Sequence, residues 1–165
     1  MPKSIILTHQ EIQYKIRRIA FQIYENNANE TEIILAGIAN NGFLFAKKIK
    51  LILEDISDFK ITLCEVLINK KQPLHQITTS IHSKNYTNKS IVLVDDVLNS
   101  GATLIYAIKH FLNVPVKQFK TAVLVNRNHK KFPVKADFKG ISLSTSIQEH
   151  ITVEFNQKQS IAFLE

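Results

Sequence analysis

The sequence predicts an α/β domain with a central, mostly parallel sheet flanked by helices and a small hood of C-terminal strands. Three observations point there. Amphipathic helical stripes alternate along the chain with short apolar, β-branched runs. The run Ser90–Val94 is apolar at every position from Ile91 onward, as a parallel strand buried on both faces must be. The C-terminal stretch holds three short strand candidates with no helix between them.

The elements follow in order. Thr8-His9-Gln10-Glu11 reads as a capping box, in which the hydroxyl and the carboxylate each satisfy the other's backbone N–H. Ile12, Ile16, Ile19, Ala20 and Ile23 then recur on one helical face, and the helix stops near Asn26-Asn27. Glu32–Ile38 is a short buried strand that ends in the turn-forming cluster Ala39-Asn40-Asn41-Gly42. A second helix has Phe45, Ala46, Ile49, Ile52 and Leu53 on its core face. Phe59–Ile68 alternates into a strand, and 69–88 is polar, carries Pro73 and shows no periodicity. Ser90–Val94 runs into Asp95–Thr103, and a third helix carries Leu104, Ile108, Phe111 and Leu112 on one stripe. Lys120–Val125, Phe138–Leu143, Ile151–Phe155 and Ser160–Leu164 are the remaining strands. Strands alternating with helices give a mostly parallel sheet.

A length of 165 residues predicts one domain, 1–165. The 45% hydrophobic and 21% charged content excludes a disordered chain. No apolar run approaches the roughly 18 residues of a membrane span, and the first residues lack a signal-peptide core. One cysteine, Cys64, permits no internal disulfide, so a reducing, cytoplasmic setting is expected. The net charge is +7. The window from Lys109 to Lys139 holds Lys109, Lys117, Lys120, Arg127, Lys130, Lys131, Lys135 and Lys139 against Asp137 alone, and so accounts for all of it. Such a basic surface suits phosphates of a small substrate or of nucleic acid, or serves as a solubilising face.

Chemistry concentrates in one segment. In an open parallel sheet, ligands bind beyond the carboxyl ends of the strands, where Asp95 and Asp96 sit. Ser100-Gly101-Ala102-Thr103 then opens a helix whose N–H groups and dipole favour an anion, with hydroxyls to add. Adjacent carboxylates that accept from a vicinal diol, one loop from a phosphate cradle, describe a ribose 5-phosphate site. Neither a P-loop nor a G-x-G-x-x-G motif is present. A phosphoacceptor receiver domain would carry its acid pair on the first strand. His9, His75, His82, His110, His129 and His150 lack zinc spacing, Cys64 reads as core, and the tyrosines form no base-stacking platform.

Val94-Asp95-Asp96-Val97-Leu98-Asn99-Ser100-Gly101-Ala102-Thr103 closely resembles the phosphoribosyl-pyrophosphate motif of type I phosphoribosyltransferases. Ala122–His129 and Pro133–Gly140 look like later segments of one branch, the bifunctional pyrimidine operon attenuators and uracil phosphoribosyltransferases. Ala36–Gly42 matches the position of that branch's pyrophosphate loop. The resemblance implies the type I phosphoribosyltransferase fold over nearly the whole chain. It implies that Asp95 and Asp96 form the catalytic pair and hold the ribose hydroxyls, while Val97, Leu98, Asn99, Ser100, Gly101, Ala102 and Thr103 complete the ribose-phosphate site. Ala39, Asn40, Asn41 and Gly42 would face pyrophosphate. Asn69, Lys70 and Lys71 would belong to a mobile loop, and Asn126, Arg127 and His129 to the base pocket.

The implied reaction displaces pyrophosphate from ribose C1 of phosphoribosyl pyrophosphate by a nitrogen of a uracil-type base, giving a nucleoside monophosphate in nucleotide salvage or its regulation. Catalysis of that kind rests on positioning and leaving-group charge neutralisation. Mg²⁺ carried by the substrate, near Asp95 and Asp96, is the implied cofactor. The implied alternatives are an RNA-binding pyrimidine operon regulator acting on an mRNA leader, or a nucleotide sensor with little transferase activity. A homodimer or larger homo-oligomer is implied by analogy alone. The chain departs from the branch in three places. Asn40-Asn41-Gly42 replaces Thr-Arg-Gly, Ile68-Asn69-Lys70-Lys71 replaces Tyr-Arg-Asp-Asp, and Ala102 replaces the arginine of Thr-Gly-Arg-Thr. Asn126 stands where pyrimidine relatives carry Asp and 6-oxopurine relatives Lys, and suits either base.

Overall fold

The computed structural model describes residues 3–156 and 158–165. Strand β1, Ser4–Leu7, leads directly into helix α1, His9–Asn26. The capping box forms: Thr8 Oγ1 accepts from the Glu11 N–H at 3.3 Å, and the Glu11 carboxylate accepts from the Thr8 N–H at 2.8 Å. Such a cap is worth about 1 kcal/mol. Ile12, Ile16, Ile19, Ala20 and Ile23 are all buried, as their spacing requires.

Next come β2 (Glu32–Ile38), α2 (Asn41–Ile56), β3 (Lys60–Leu67) and the short β4 (Thr78–Thr79). A 3₁₀ turn, Ser83–Asn85, precedes β5 (Ser90–Leu98) and α3 (Ala102–Phe111). The chain ends with β6 (Gln118–Arg127), β7 (Phe138–Leu143), β8 (Ile151–Phe155) and β9 (Ser160–Leu164).

The main sheet has the order β4-β3-β2-β5-β6-β7, and every neighbouring pair is parallel except β3 with β4. Alternation along the central strands feeds two cores. Ile33, Leu35, Val92, Val94, Ala122 and Leu124 pack with α1 and α2 on one face. Ile34, Ala36, Ile91, Leu93 and Val123 pack with α3 on the other. From β2 the chain steps outward to β3, then returns to the opposite side of β2 as β5. Loops leaving the carboxyl ends of β2 and β5 therefore diverge, and a crevice opens between them.

The structure bears out the hood while refining its membership, and corrects three other expectations. The hood is a separate sheet, β1-β9-β8, so the N-terminal strand contributes to it and β7 belongs to the main sheet instead. Leu112 lies off the α3 core face, at the C-cap and 54% exposed, while Ala107 takes the stripe position between Leu104 and Phe111. Helix α2 starts at Asn41, which puts Asn41 and Gly42 in its first turn rather than in a loop. The strand predicted to end at Val94 continues through both acids to Leu98.

Candidate active site

Because β5 runs past the acid pair, Asp95 is held inside the sheet, paired with Val123 of β6 and only 2% exposed. Its Oδ1 accepts from the Asp96 N–H at 2.9 Å and lies 3.5 Å from Lys70 Nζ. Asp96 is half-buried; its Oδ1 accepts from the Val97 N–H at 2.8 Å and its Oδ2 from Asn41 Nδ2 at 3.0 Å. Burial, and then the charge of Asp96, push the Asp95 carboxyl up to about 8 against the opposing pull of Lys70. At neutral pH Asp95 therefore keeps its proton and offers a donor as well as an acceptor beside the Asp96 carboxyl group.

Past Leu98 the chain turns through Asn99, Ser100 and Gly101 into α3. Gly101 has φ +89°, and a Cβ there would meet Val134 Cγ1 at 2.5 Å, so glycine is needed for conformation and for space. The loop is pinned from behind, since the Ser100 carbonyl accepts from the N–H groups of Lys131 at 2.8 Å and Phe132 at 3.1 Å. Ser100 Oγ accepts from the Ala102 N–H at 3.3 Å. The other N–H groups of the first turn have no intrahelical acceptor and point with the dipole at an incoming anion. Lys70, the segment from Asp95 to Leu104, and Ile151 of β8 together line a cleft of about 190 Å³. The whole predicted ribose-phosphate segment is thus brought to one cavity.

Ala39, Asn40, Asn41 and Gly42 stand beside that cleft rather than in its wall. Gly42 packs directly on β5: a Cβ there would lie 2.6 Å from the Val94 carbonyl oxygen and 3.0 Å from Asp95 Oδ1. Asn41 Nδ2 donates to the Val153 carbonyl of β8 at 2.8 Å as well as to Asp96. The Ala39–Asn40 peptide is cis, and the Ala39 N–H donates to the Val66 carbonyl at 2.9 Å.

Among the mobile-loop candidates, Lys70 alone reaches the cleft. Asn69 caps its own turn, its Oδ1 accepting from the N–H groups of Lys71 at 3.0 Å and Gln72 at 3.2 Å. Arg127 and His129 line a second cavity of about 440 Å³ that shares Asn99 and Ser100 with the first. Asn126 is not in its lining; it donates to Ser142 Oγ at 3.2 Å, and its buried Oδ1 has no partner among the described residues. Lys130, Lys131 and Ile147 join that second cavity, and Ile151 the first. The two isoleucines stand on and just past the 144–150 connection, which has no periodicity to betray them.

The basic window does not form one surface. Lys117 and Lys120 lie at the amino end of β6 and Lys130 and Lys131 beyond its carboxyl end, about 30 Å apart at roughly 3.3 Å per residue. Lys117 is also paired with Glu30 at 2.8 Å and Lys135 with Asp137 at 3.7 Å.

Comparison with known proteins agrees with this fold. The family model described as "Phosphoribosyl transferase domain" matches residues 3–158. The "Bifunctional protein PyrR" of Streptococcus agalactiae is 31% identical over 93% of this chain and 91% of its own length. The protein of the same name from Clostridium novyi is 32% identical over 96% and 93%. Among solved structures, the hypoxanthine phosphoribosyltransferase of Trypanosoma cruzi superposes with a TM-score of 0.79 over 96% of this chain and 95% of its own, at 16% identity. A hypoxanthine-guanine phosphoribosyltransferase from Bacillus anthracis superposes with a TM-score of 0.74 over 92% and 88%, at 22% identity. With the family match running from β1 to the hood, this chain belongs to the phosphoribosyl transferase domain family.

Proposed function

We propose that this protein transfers the ribose 5-phosphate unit of phosphoribosyl pyrophosphate to a uracil-type base, releasing pyrophosphate and a nucleoside monophosphate. The observation that carries this is the single cleft in which a strand-borne acid pair and a helix N-terminal loop meet at the topological switch point. Asp95 and Asp96 hold the ribose diol, one as donor and acceptor, the other as acceptor. The Asn99–Thr103 loop takes the 5-phosphate on its N–H groups and hydroxyls, fixing C1 for in-line attack. Lys70, the cationic side chain of the cleft, faces the leaving group, and a single donor placed where charge develops is worth about 10²–10³ in rate. The base enters from the second cavity, past Asn99, Arg127 and His129.

Among the described residues no three His, Cys, Asp or Glu side chains come together to hold a metal. Asp96, the more exposed acid of the pair, would nevertheless suit Mg²⁺ brought in with the substrate, because this ion keeps its waters and needs only one or two carboxylates beside a phosphate. When bound, it neutralises leaving-group charge. Pyrophosphate release from phosphoribosyl pyrophosphate with Mg²⁺, measured against uracil, hypoxanthine, guanine, xanthine and adenine, tests the proposal. Release is expected with uracil foremost, and none with any base would overturn it.

A second reading has its own support. Lys130 and Lys131 are exposed on the segment whose N–H groups hold Ser100, which places two exposed cations next to the phosphate loop. The relatives are also named bifunctional. An RNA-binding regulator whose hold on a pyrimidine operon leader responds to nucleotide in the cleft would use both features.

A further inference from the structure

We infer that Arg127 is a positioning residue that ties the phosphate loop to the 144–150 connection leading into the hood, so that the base side of the cleft is organised through it. This rests on the ribose-phosphate reading above, with the role of Arg127 shifted from touching the base to holding what surrounds it. Arg127 ends β6 and is 7% exposed. Its guanidinium makes four hydrogen bonds, one to the phosphate loop and three to the 144–150 connection. Nη1 donates to Asn99 Oδ1 at 3.1 Å, Nε to Thr145 Oγ1 at 2.9 Å, and Nη2 to the carbonyls of Ser146 at 3.0 Å and Glu149 at 2.8 Å.

Asn99 is the first residue of the phosphate loop, and 144–150 is the connection that delivers Ile151 to the cleft wall. That connection has little else to fix it. Among the described residues its other polar ties are His129 to the Thr145 carbonyl, Asn128 to Ser144 Oγ at 3.0 Å, the Ser146 N–H to the Glu149 carboxylate at 2.6 Å, the Glu149 N–H to the Ser146 carbonyl at 3.3 Å, and the reciprocal backbone bonds of His150 with Glu165. Ile147 at its tip is 85% exposed. A planar fork of five donors can serve a side-chain amide, a hydroxyl and two carbonyls in one geometry, which an ammonium cannot. Because Asn99 Oδ1 is committed to Arg127, the amide keeps its Nδ2 edge as the donor toward ligand.

The consequence separates two ligands. Ribose 5-phosphate needs the acid pair and the N–H groups of the Asn99–Thr103 loop, which the bonds from Lys131 and Phe132 to the Ser100 carbonyl hold without Arg127. Uridine 5′-monophosphate also needs the base side, bounded by Asn99 and the 144–150 connection. Calorimetry with both should show that Arg127→Lys and Arg127→Met bind ribose 5-phosphate within about twofold of wild type but uridine monophosphate at least tenfold more weakly. Hydrogen exchange supplies a second readout: uridine monophosphate should slow the amides of 144–150 in wild type and in neither variant, while β5 and β6 amides stay protected in all three. Should Arg127→Met fail to fold, Arg127→Lys carries the test alone. Equal loss of both ligands, or no loss of either, would overturn the positioning role. Failure of the wild type to bind ribose 5-phosphate would instead overturn the reading of the cleft, and this inference with it.

Discussion

Asn41 donates to Asp96 Oδ2 at 3.0 Å and, through the same nitrogen, to the Val153 carbonyl at 2.8 Å, so one amide joins the acid pair to the hood. The branch that the motifs resemble is expected to carry arginine at this position. An arginine has enough N–H groups to keep both partners and still bring a charge to the pyrophosphate side. Asn41→Arg is expected to raise the transfer rate at least about tenfold, equivalent to about 1.4 kcal/mol of barrier. Asn41→Ala, which leaves the Val153 carbonyl unpaired, should lower both rate and stability. Steady-state assays of the two variants check this, and an unchanged rate in Asn41→Arg would mean that Lys70 already supplies the charge.

Asp95 gives the protein a pH signature. Its carboxyl titrates near 8 in the folded state and at about 3.9 in an unfolded chain, so between those values only the folded state holds the proton. Stability contributed by this group is complete below about pH 4, is lost as pH rises toward 8, and levels off above. Asp95→Asn, which stays neutral, should be more stable than wild type at pH 8, with a gain that shrinks toward pH 4. Urea midpoints at several pH values measure this. A gain that does not vary with pH would contradict the burial argument.

Gly42 holds α2 against β5 at the acid pair. A methyl group there lies 2.6 Å from the Val94 carbonyl oxygen, a backbone atom that cannot step aside. Gly42→Ala should therefore cost about 1–3 kcal/mol in unfolding free energy. It should also weaken ribose 5-phosphate binding, because Asp95 must move with β5. Wild-type stability in this variant would show that the helix start yields without strain.

Much of this fold was legible in the sequence because the signals were local. The Thr8–Glu11 box and the isoleucine stripe of α1 specify that helix without reference to anything distant, and the α2 stripe from Phe45 to Leu53 does the same. Strand β1 was not legible, since Ser4–Leu7 acquires its identity by pairing with β9 at the far end of the chain. Asp95 and Asp96 read as a strand end because acids are costly inside a sheet. They are tolerated there because Lys70 and Asn41 arrive from other elements to meet them. Arg127 was placed at the base pocket by the family resemblance, and its ties to 145–149 were not legible because that connection has no periodicity. The basic window misled in a plainer way: neighbours in sequence were separated by the length of β6.

If the protein also holds RNA, Lys130 and Lys131 are the cations free to do so beside the cleft. Phosphates neutralised by lysine release counterions, so log affinity should fall linearly with log salt. Replacing both lysines by glutamine should flatten that slope by about two. Filter binding of a pyrimidine operon leader RNA across a salt series would show it. No binding at low salt would leave these lysines as substrate-facing or solubilising charges only.

The most direct test of the cleft is calorimetric titration of ribose 5-phosphate into wild type and into the double variant Asp95→Asn, Asp96→Asn. Both proteins keep the Asn99–Thr103 loop, and asparagine preserves side-chain shape, so the fold should stay intact by thermal unfolding. Wild type is expected to bind, and the double variant to bind at least about tenfold more weakly, a difference of about 1.4 kcal/mol. Equal affinity in the two proteins would contradict the assignment of the acid pair to the ribose hydroxyls.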